Sequence, residues 1–266
     1  MPWSLLDIPL ALPVYALVLF RLTGLMIAAP VFGSRAIPLR IRGAVVMTVA
    51  AMIFPLVRHQ APSDLTLPAA LAAVVGELLV GLTIGLSLAL LVTGAEVGGL
   101  MVSQQGGIAL GEVFDPSQDQ ESTTVGQVYG ITLMLLFLLA GGHRAAMAAL
   151  LDTFEAVPLL RFQMDESVVV LFTELLTSAF ILGIRIAAPA LIALFLAGLA
   201  MGFLSRTMPQ LNILSVGFTL RVLLALGVAG LALAQCEGLL LDAVWDTLAA
   251  VRESFGLDPG RLQLVH

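Results

Sequence analysis

Lysine does not occur in this sequence, and all twelve basic residues are arginine. Charge of either sign is scarce: Asp, Glu, Lys and Arg together make up 11% of the 266 residues, and the formal net charge is −6. Nucleic acid and anionic lipid both select clustered basic residues. Here only Arg35, Arg40 and Arg42 cluster, which argues against either as the main partner. The single cysteine, Cys236, excludes an intramolecular disulfide. His59, His143 and His266 have no spacing that suggests a metal site, so no metal and no cofactor is expected. Catalytic signatures are missing as well. Ser103, Ser117 and Ser122 lie near acids but have no histidine close in sequence, and neither a nucleophile elbow nor a nucleotide-binding glycine loop occurs. The chain reads as a protein that is not an enzyme and does not drive itself with nucleotide.

What is abundant is apolar surface. Hydrophobic residues form 59% of the chain and mean hydropathy is +1.05, too apolar for a soluble globular monomer. The expected fold is an all-α, polytopic integral membrane protein. Runs suited to spanning helices, which need about 20 residues each, lie near Pro9–Ala29, Ala44–Val57, Pro68–Gly94, Val125–Ala140, Leu171–Met201 and Gly217–Ala234. That makes about six hydrophobic helices, some kinked or paired as hairpins. The N-terminal run has no basic flank and no small-residue cleavage site, so it is expected to stay as the first membrane segment. Pro55 sits near the end of the short second run. The fifth is too long for one upright span, and Arg185 followed by Pro189 predicts a break, kink or tilt.

Charges within these runs need an account, because one at mid-helix costs roughly 2.5–3.5 kcal/mol. Arg21, Glu77, Glu96, Arg185 and Arg221 must snorkel, pair across helices or face water. Inter-helix or inter-subunit pairing is favoured over an ion relay, since no two acids share helical spacing within one run. Four small-residue pairs, Gly81/Gly85, Gly94/Gly98, Gly126/Gly130 and Gly198/Gly202, predict close backbone approach between helices without naming the partners. Arginine asymmetry gives no clean topology. Placing Arg35–Arg42 in the cytoplasm also places Arg206 there, but leaves Arg58, Arg144, Arg161, Arg252 and Arg261 outside. Either a segment is miscounted or the helices do not cross a bilayer one after another. Beyond Cys236, Glu237–Phe255 reads as an amphipathic helix with Leu240, Val244, Leu248 and Val251 on one face. It is either a docking helix or a solvated terminus.

Function is most legible in Gly98–Gly126, where Gln104, Gln105, Asp115, Gln118, Asp119, Gln120 and Glu121 would be expensive to bury unpartnered. Within it, Met101, Ile108, Leu110, Val113 and Phe114 can seal, Gly106, Gly107 and Gly111 can bend, and Pro116 stiffens the exit. The segment Met101–Asp119 therefore has the composition of a constriction or plug. An ordinary re-entrant or connecting loop fits the composition equally well.

Three further segments carry a resemblance: Arg21–Ala50, Leu138–Leu159 and Arg206–Gly227. Together with Gln104–Leu110 they resemble the FliR family of flagellar type III export, in order and across almost the whole chain. The family's Pro-Gln-Leu-Asn falls on Pro209, Gln210, Leu211 and Asn212. Its Gly-Phe-Pro-Leu-Lys falls on Gly217–Arg221, with Thr219 for the proline and Arg221 for the lysine. Gly142-His143 matches the family's Gly-His, and its later Ser-Phe reads Thr153-Phe154, which keeps a hydroxyl and a ring. Each residue also has a plain structural reading: Pro209 a helix break, Asn212 a cap, His143 a bond to a neighbouring loop, Arg35–Arg42 a cytoplasmic anchor.

The resemblance implies a core subunit of the flagellar export gate in the bacterial inner membrane, at the flagellar basal body. It would join FliP and FliQ in a helical, pore-forming hetero-oligomer, with FlhB and FlhA as further partners and unfolded flagellar proteins as substrates. Residues 1–266 would form one membrane domain, about 1–200 FliP-like and about 201–266 a FliQ-like hairpin and tail. The plug would be carried by Met101, Gln104, Gln105, Gly106, Gly107, Ile108, Leu110, Val113, Phe114, Asp115 and Pro116. Assembly would rest on Arg35, Arg206, Pro209, Gln210, Asn212 and Arg221. The alternatives are the equivalent subunit of a virulence-type injectisome and, from another class, a small-solute transporter using Glu77, Glu96 and Arg185. The latter predicts inverted repeats, and no convincing repeat is present.

Overall fold

A computed structural model describes residues 8–33, 37–60, 66–109, 123–160, 166–208, 213–235 and 237–257. Among them the regular structure is entirely helical. The order is α1 (Ile8–Ala28), α2 (Leu39–Val57) with a single 3-10 turn at Arg58–Gln60, α3 (Leu67–Gly106), α4 (Thr124–Leu139), α5 (Gly142–Ala156), α6 (Glu166–Thr207), α7 (Ile213–Gln235) and α8 (Glu237–Ser254). Each of the six apolar runs falls on a helix, and α5 and α8 are additional, less apolar ones. Four stretches are long and apolar enough to cross a membrane, Leu39–Gln60, Leu67–Gly106, Val168–Thr207 and Val216–Ala234, or five if α4 and α5 form one broken span.

Local chemistry sets the boundaries. Thr123 caps α4, its hydroxyl accepting the Gly126 N–H at 3.2 Å. Gly141, with φ +74, makes the break between α4 and α5, a left-handed turn that glycine adopts without steric cost. Gly107, with φ +81, ends α3 and donates its N–H to the Gln104 carbonyl at 3.3 Å. In contrast, α6 runs unbroken through Arg185 and Pro189 for 42 residues. At about 1.5 Å per residue, α3 and α6 are each roughly twice as long as the ~30 Å hydrocarbon core.

The chain forms two compact units. The first comprises Met1–Ala89, Gly141–Leu175 and Val244–His266; the second Leu90–Ala140 and Leu176–Ala243. In the first, α1 lies against α2, where Tyr15 meets Phe54 edge-on at 6.1 Å and donates its hydroxyl to the Met47 carbonyl at 3.1 Å. It lies against α3 through Gly24, Gly81 and Gly85: a Cβ at Gly81 would strike the Arg21 carbonyl, and one at Gly85 the Ala28 side chain. The C-terminal helix is docked rather than solvated. Val244, Thr247, Leu248, Val251 and Arg252 are buried, and Arg252 forms an ion pair with Asp152 of α5.

In the second unit, Gly94 and Gly98 of α3 approach the backbone of α6 at Ala179 and Gly183, and Gly99 approaches Gly126 of α4. Near its end α3 meets α7, with Gly106 against Ala225. The Tyr129 hydroxyl of α4 donates to the Ala229 carbonyl of α7 at 3.3 Å. Along α6 a buried stripe of Ala179, Leu182, Ile186, Ala190 and Leu194 repeats every three or four residues, while Ile181, Ile184, Ile192 and Phe195 are exposed. Three of the four small-residue pairs are therefore contacts within this chain. Gly202 of the fourth has open space around it.

Candidate functional site

Two places concentrate polar chemistry. The first is built around Arg21, fully buried in α1. Its Nε donates to Glu77 Oε2 of α3 at 2.6 Å, Nη1 to the Thr153 hydroxyl at 3.1 Å and Nη2 to the Val157 carbonyl at 3.0 Å. The guanidinium carbon lies 4.2 Å from the centre of the Phe154 ring. Glu77 uses its second oxygen, Oε1, to accept the Leu160 N–H at 3.3 Å. A buried ion pair is tolerable only when its remaining donors and acceptors are met, and here each Arg21 nitrogen has a partner.

The location matters too. The last carbonyls of a helix lack intrahelical partners and carry partial negative charge. Arg21 covers the one at Val157, the residue that caps α5. Gln60, in the turn after α2, donates Nε2 to the Phe154 carbonyl at 3.1 Å and accepts the Leu159 N–H at 3.0 Å. Leu160 has φ +73, a conformation that costs a non-glycine residue about 1–3 kcal/mol, and Glu77 and Gln60 hold the chain there. Four elements, α1, α3, α5 and the turn after α2, are thus locked at the C-terminal end of α5. The hydroxyl and ring that Thr153-Phe154 preserve are both spent on Arg21. Sequence reasoning flagged Arg21 and Glu77 separately as charges needing partners. Nothing in spacing joins residues 56 positions apart, and Gln60 carried no signal.

The second place is the end of α3. Met101, Gln104, Gln105 and Gly106 were expected in a loop, and here they correct that reading: they form the last turns of α3, which continues to Gly106. The physical reason is that Gly98 and Gly99 do not break the helix but sit where α6 and α4 come closest, and the first left-handed residue is Gly107. Gln104 and Gln105 are exposed, while Met101 and Ile108 are half-buried. Gly107 faces the Phe218 ring of α7, which a Cβ would approach to 3.1 Å. Leu110, Val113, Phe114, Asp115 and Pro116 lie outside the described residues.

Of the expected assembly residues, Arg206 is exposed in the last turn of α6. Arg221 is exposed on α7, its guanidinium beside Gly198, where a Cβ would lie 3.2 Å from Nη2. Arg35, Pro209, Gln210 and Asn212 lie outside the described residues. His143 is half-buried near the start of α5, with Nδ1 unpartnered among the described residues. No group of three or more His, Cys, Asp or Glu that could hold a metal ion comes together among the described residues.

Membrane-length apolar helices, an internally neutralised charge pair and broad apolar faces on α2, α6 and α7 define an all-α polytopic membrane protein. The sequence matches the bacterial export proteins, family 1, over residues 12–245, and the chain belongs to that family. It is similar to the flagellar biosynthetic protein FliR of Caulobacter vibrioides, with 30% identity over 221 residues, 83% of this chain and 88% of the relative. FliR of Bacillus subtilis is 27% identical over 214 residues, 79% of this chain and 82% of the relative. The Yop proteins translocation protein T of Yersinia pestis is 24% identical over 214 residues, again 79% and 82%.

Proposed function

We propose that this chain is a core subunit of the type III flagellar export gate in the bacterial inner membrane. It joins FliP and FliQ in a pore for unfolded flagellar proteins, with FlhB and FlhA as neighbours in the same apparatus. The observation that carries this reading is similarity to FliR over 83% of the chain. The surface supports an assembly: only 22% of the apolar windows of α2 and α7 is buried, so apolar helix faces remain for lipid and for other subunits. Residues to about 200 form the FliP-like portion and those from about 201 the FliQ-like hairpin and tail.

Gating in this account is steric. The end of α3, with Met101, Gln104, Gln105 and Gly106, is a stem from which the segment Gly107–Asp119 reaches the pore; Gly107 lets the chain turn, and apolar Ile108, Leu110, Val113 and Phe114 seal against ions. A substrate, driven by energy from other components, displaces the seal. The chain makes and breaks no bond. The injectisome reading is kept by the similarity to the Yop protein. The transporter reading loses one of its charges, since Glu77 is committed to Arg21 and Leu160.

The test is replacement of FliR by this chain in a flagellated bacterium, followed by recovery of flagellar proteins in the medium. Restored secretion supports the flagellar reading. Failure there, with restored secretion in an injectisome host lacking its own equivalent, selects the other.

A further inference from the structure

Arg40 and Arg58 stand eighteen residues apart on α2, which is about five turns at 3.6 residues each, so the two lie on one face. Helical hydrogen bonding reaches Arg58, whose N–H donates to the Phe54 carbonyl. Between the arginines the same face carries Ala44, Met47, Ala51 and Phe54, in steps of four and three residues. The buried face, Val46, Ala50, Ile53 and Val57, is turned away from it. Met47 is 59% exposed; Arg40, Ala44, Ala51 and Arg58 are exposed, and Phe54, which Tyr15 of α1 borders, is half-buried. Neither Arg40 nor Arg58 has a hydrogen bond or ion pair among the described residues. Arg42 is different: it lies on the inner side of the helix and is half-buried.

At about 1.5 Å per residue, Arg40 and Arg58 are roughly 27 Å apart along the axis. The hydrocarbon core of a bilayer is about 30 Å thick, and the long arginine stem carries its guanidinium outward to the headgroups while its methylenes stay in apolar surroundings. A neighbouring helix could cover this face only by offering an acid at each of two levels that far apart. A phospholipid bilayer has a layer of phosphate at both levels, and hydrocarbon between them for Ala44, Met47 and Ala51.

We infer that α2 crosses the full bilayer with this face against phospholipid, and that Arg40 and Arg58 each hold a lipid phosphate, one in either leaflet. A guanidinium suits that contact because its planar fork meets two phosphate oxygens at once. The two contacts fix the depth of α2, since a slide of one helical turn, about 5.4 Å, would draw one arginine into hydrocarbon, where it is costly. Lipid contact at α2 needs only the membrane-spanning class of this chain and not the export reading, so the two stand or fall separately.

The experiment uses the full chain, purified with FliP and FliQ counterparts or alone where it does not bind them, in vesicles of phosphatidylethanolamine and phosphatidylglycerol. In a Cys236→Ser background, single cysteines at Ile41, Ala44, Met47, Ala51 and His59 carry a nitroxide label. Its collisions with oxygen, which concentrates in hydrocarbon, are compared with those of a water-soluble nickel chelate. Oxygen access should peak, and nickel access be lowest, at Met47 and Ala51, with nickel access rising towards both Ile41 and His59. Native mass spectrometry then counts retained phospholipid. Arg40→Gln and Arg58→Gln should each lose one lipid per chain, and Arg40→Lys and Arg58→Lys, which keep a charge for phosphate, should retain it. Nickel access at Met47 equal to that at His59 would put α2 outside the bilayer and overturn the inference. Exclusion of both reagents at Met47 and Ala51 would show protein covering the face, with the same result. An unchanged lipid count in the glutamine variants, or a loss that lysine does not restore, would remove the phosphate contacts.

Discussion

Arg21 sets the energetics at the scale of single residues. Its partners are worth more in their absence than in their presence: removing one member of a buried ion pair strands the other, at roughly 3–5 kcal/mol, while replacing both by apolar residues is near neutral. Arg21→Met alone and Glu77→Leu alone should therefore each sharply reduce the thermal stability of the chain in detergent. The double variant should recover most of the loss. Additive losses in a double-mutant cycle would show that the two side chains do not act as a pair. Thr153→Val should cost less, about 0.5–1.5 kcal/mol, as one hydrogen bond among several is lost. Arg21, Glu77, Thr153 and Phe154 stand out in the sequence, Gln60 does not, and the association of the five has no sequence signal. The charges stood out because they interrupt apolar runs, and Thr153-Phe154 stood out by resemblance, but contact between α1, α3 and α5 has no spacing rule.

At the scale of elements, glycine is the material of helix contact rather than of helix interruption. The long apolar runs were read correctly as helices. The segment from Met101 reads as loop because Gly106, Gly107 and Gly111 can bend, whereas Gly106 stays in α3 against Ala225 of α7 and the turn comes at Gly107. The short helix α5, rich in alanine, gave too weak an apolar signal to be counted. The pattern makes a graded prediction. Gly81→Leu and Gly94→Leu place a side chain into a neighbouring backbone and should lower the yield of folded chain, overpacking costing about 1–3 kcal/mol or more. Gly202→Leu faces open space and should leave that yield unchanged. Equal loss at all three positions would mean that glycine content, not contact, is what matters. Gly107→Ala tests the helix end: it should destabilise by about 1 kcal/mol in a thermal melt, because alanine is strained at φ +81.

For the whole molecule, the arginine topology test fails on its span count: it alternates six spans, whereas four stretches are long and apolar enough to cross a membrane, or five if α4 and α5 form one broken span. Docking of the C-terminal helix through Arg252 and Asp152 likewise removes Arg252 from any count of free positive charge. The plug account belongs at this scale as well. Deleting Ile108–Phe114 should leave the complex intact on a native gel and raise ion leakage through membranes that contain it. Unchanged tightness would remove the plug from the mechanism.

The central claim is that this chain is built to complete an export gate with other subunits. Its most direct test is native mass spectrometry of particles extracted in mild detergent after co-expression with FliP and FliQ counterparts. The account predicts a discrete hetero-oligomer containing one copy of this chain. A stable particle of this chain alone, unchanged by the presence of those partners, would contradict it.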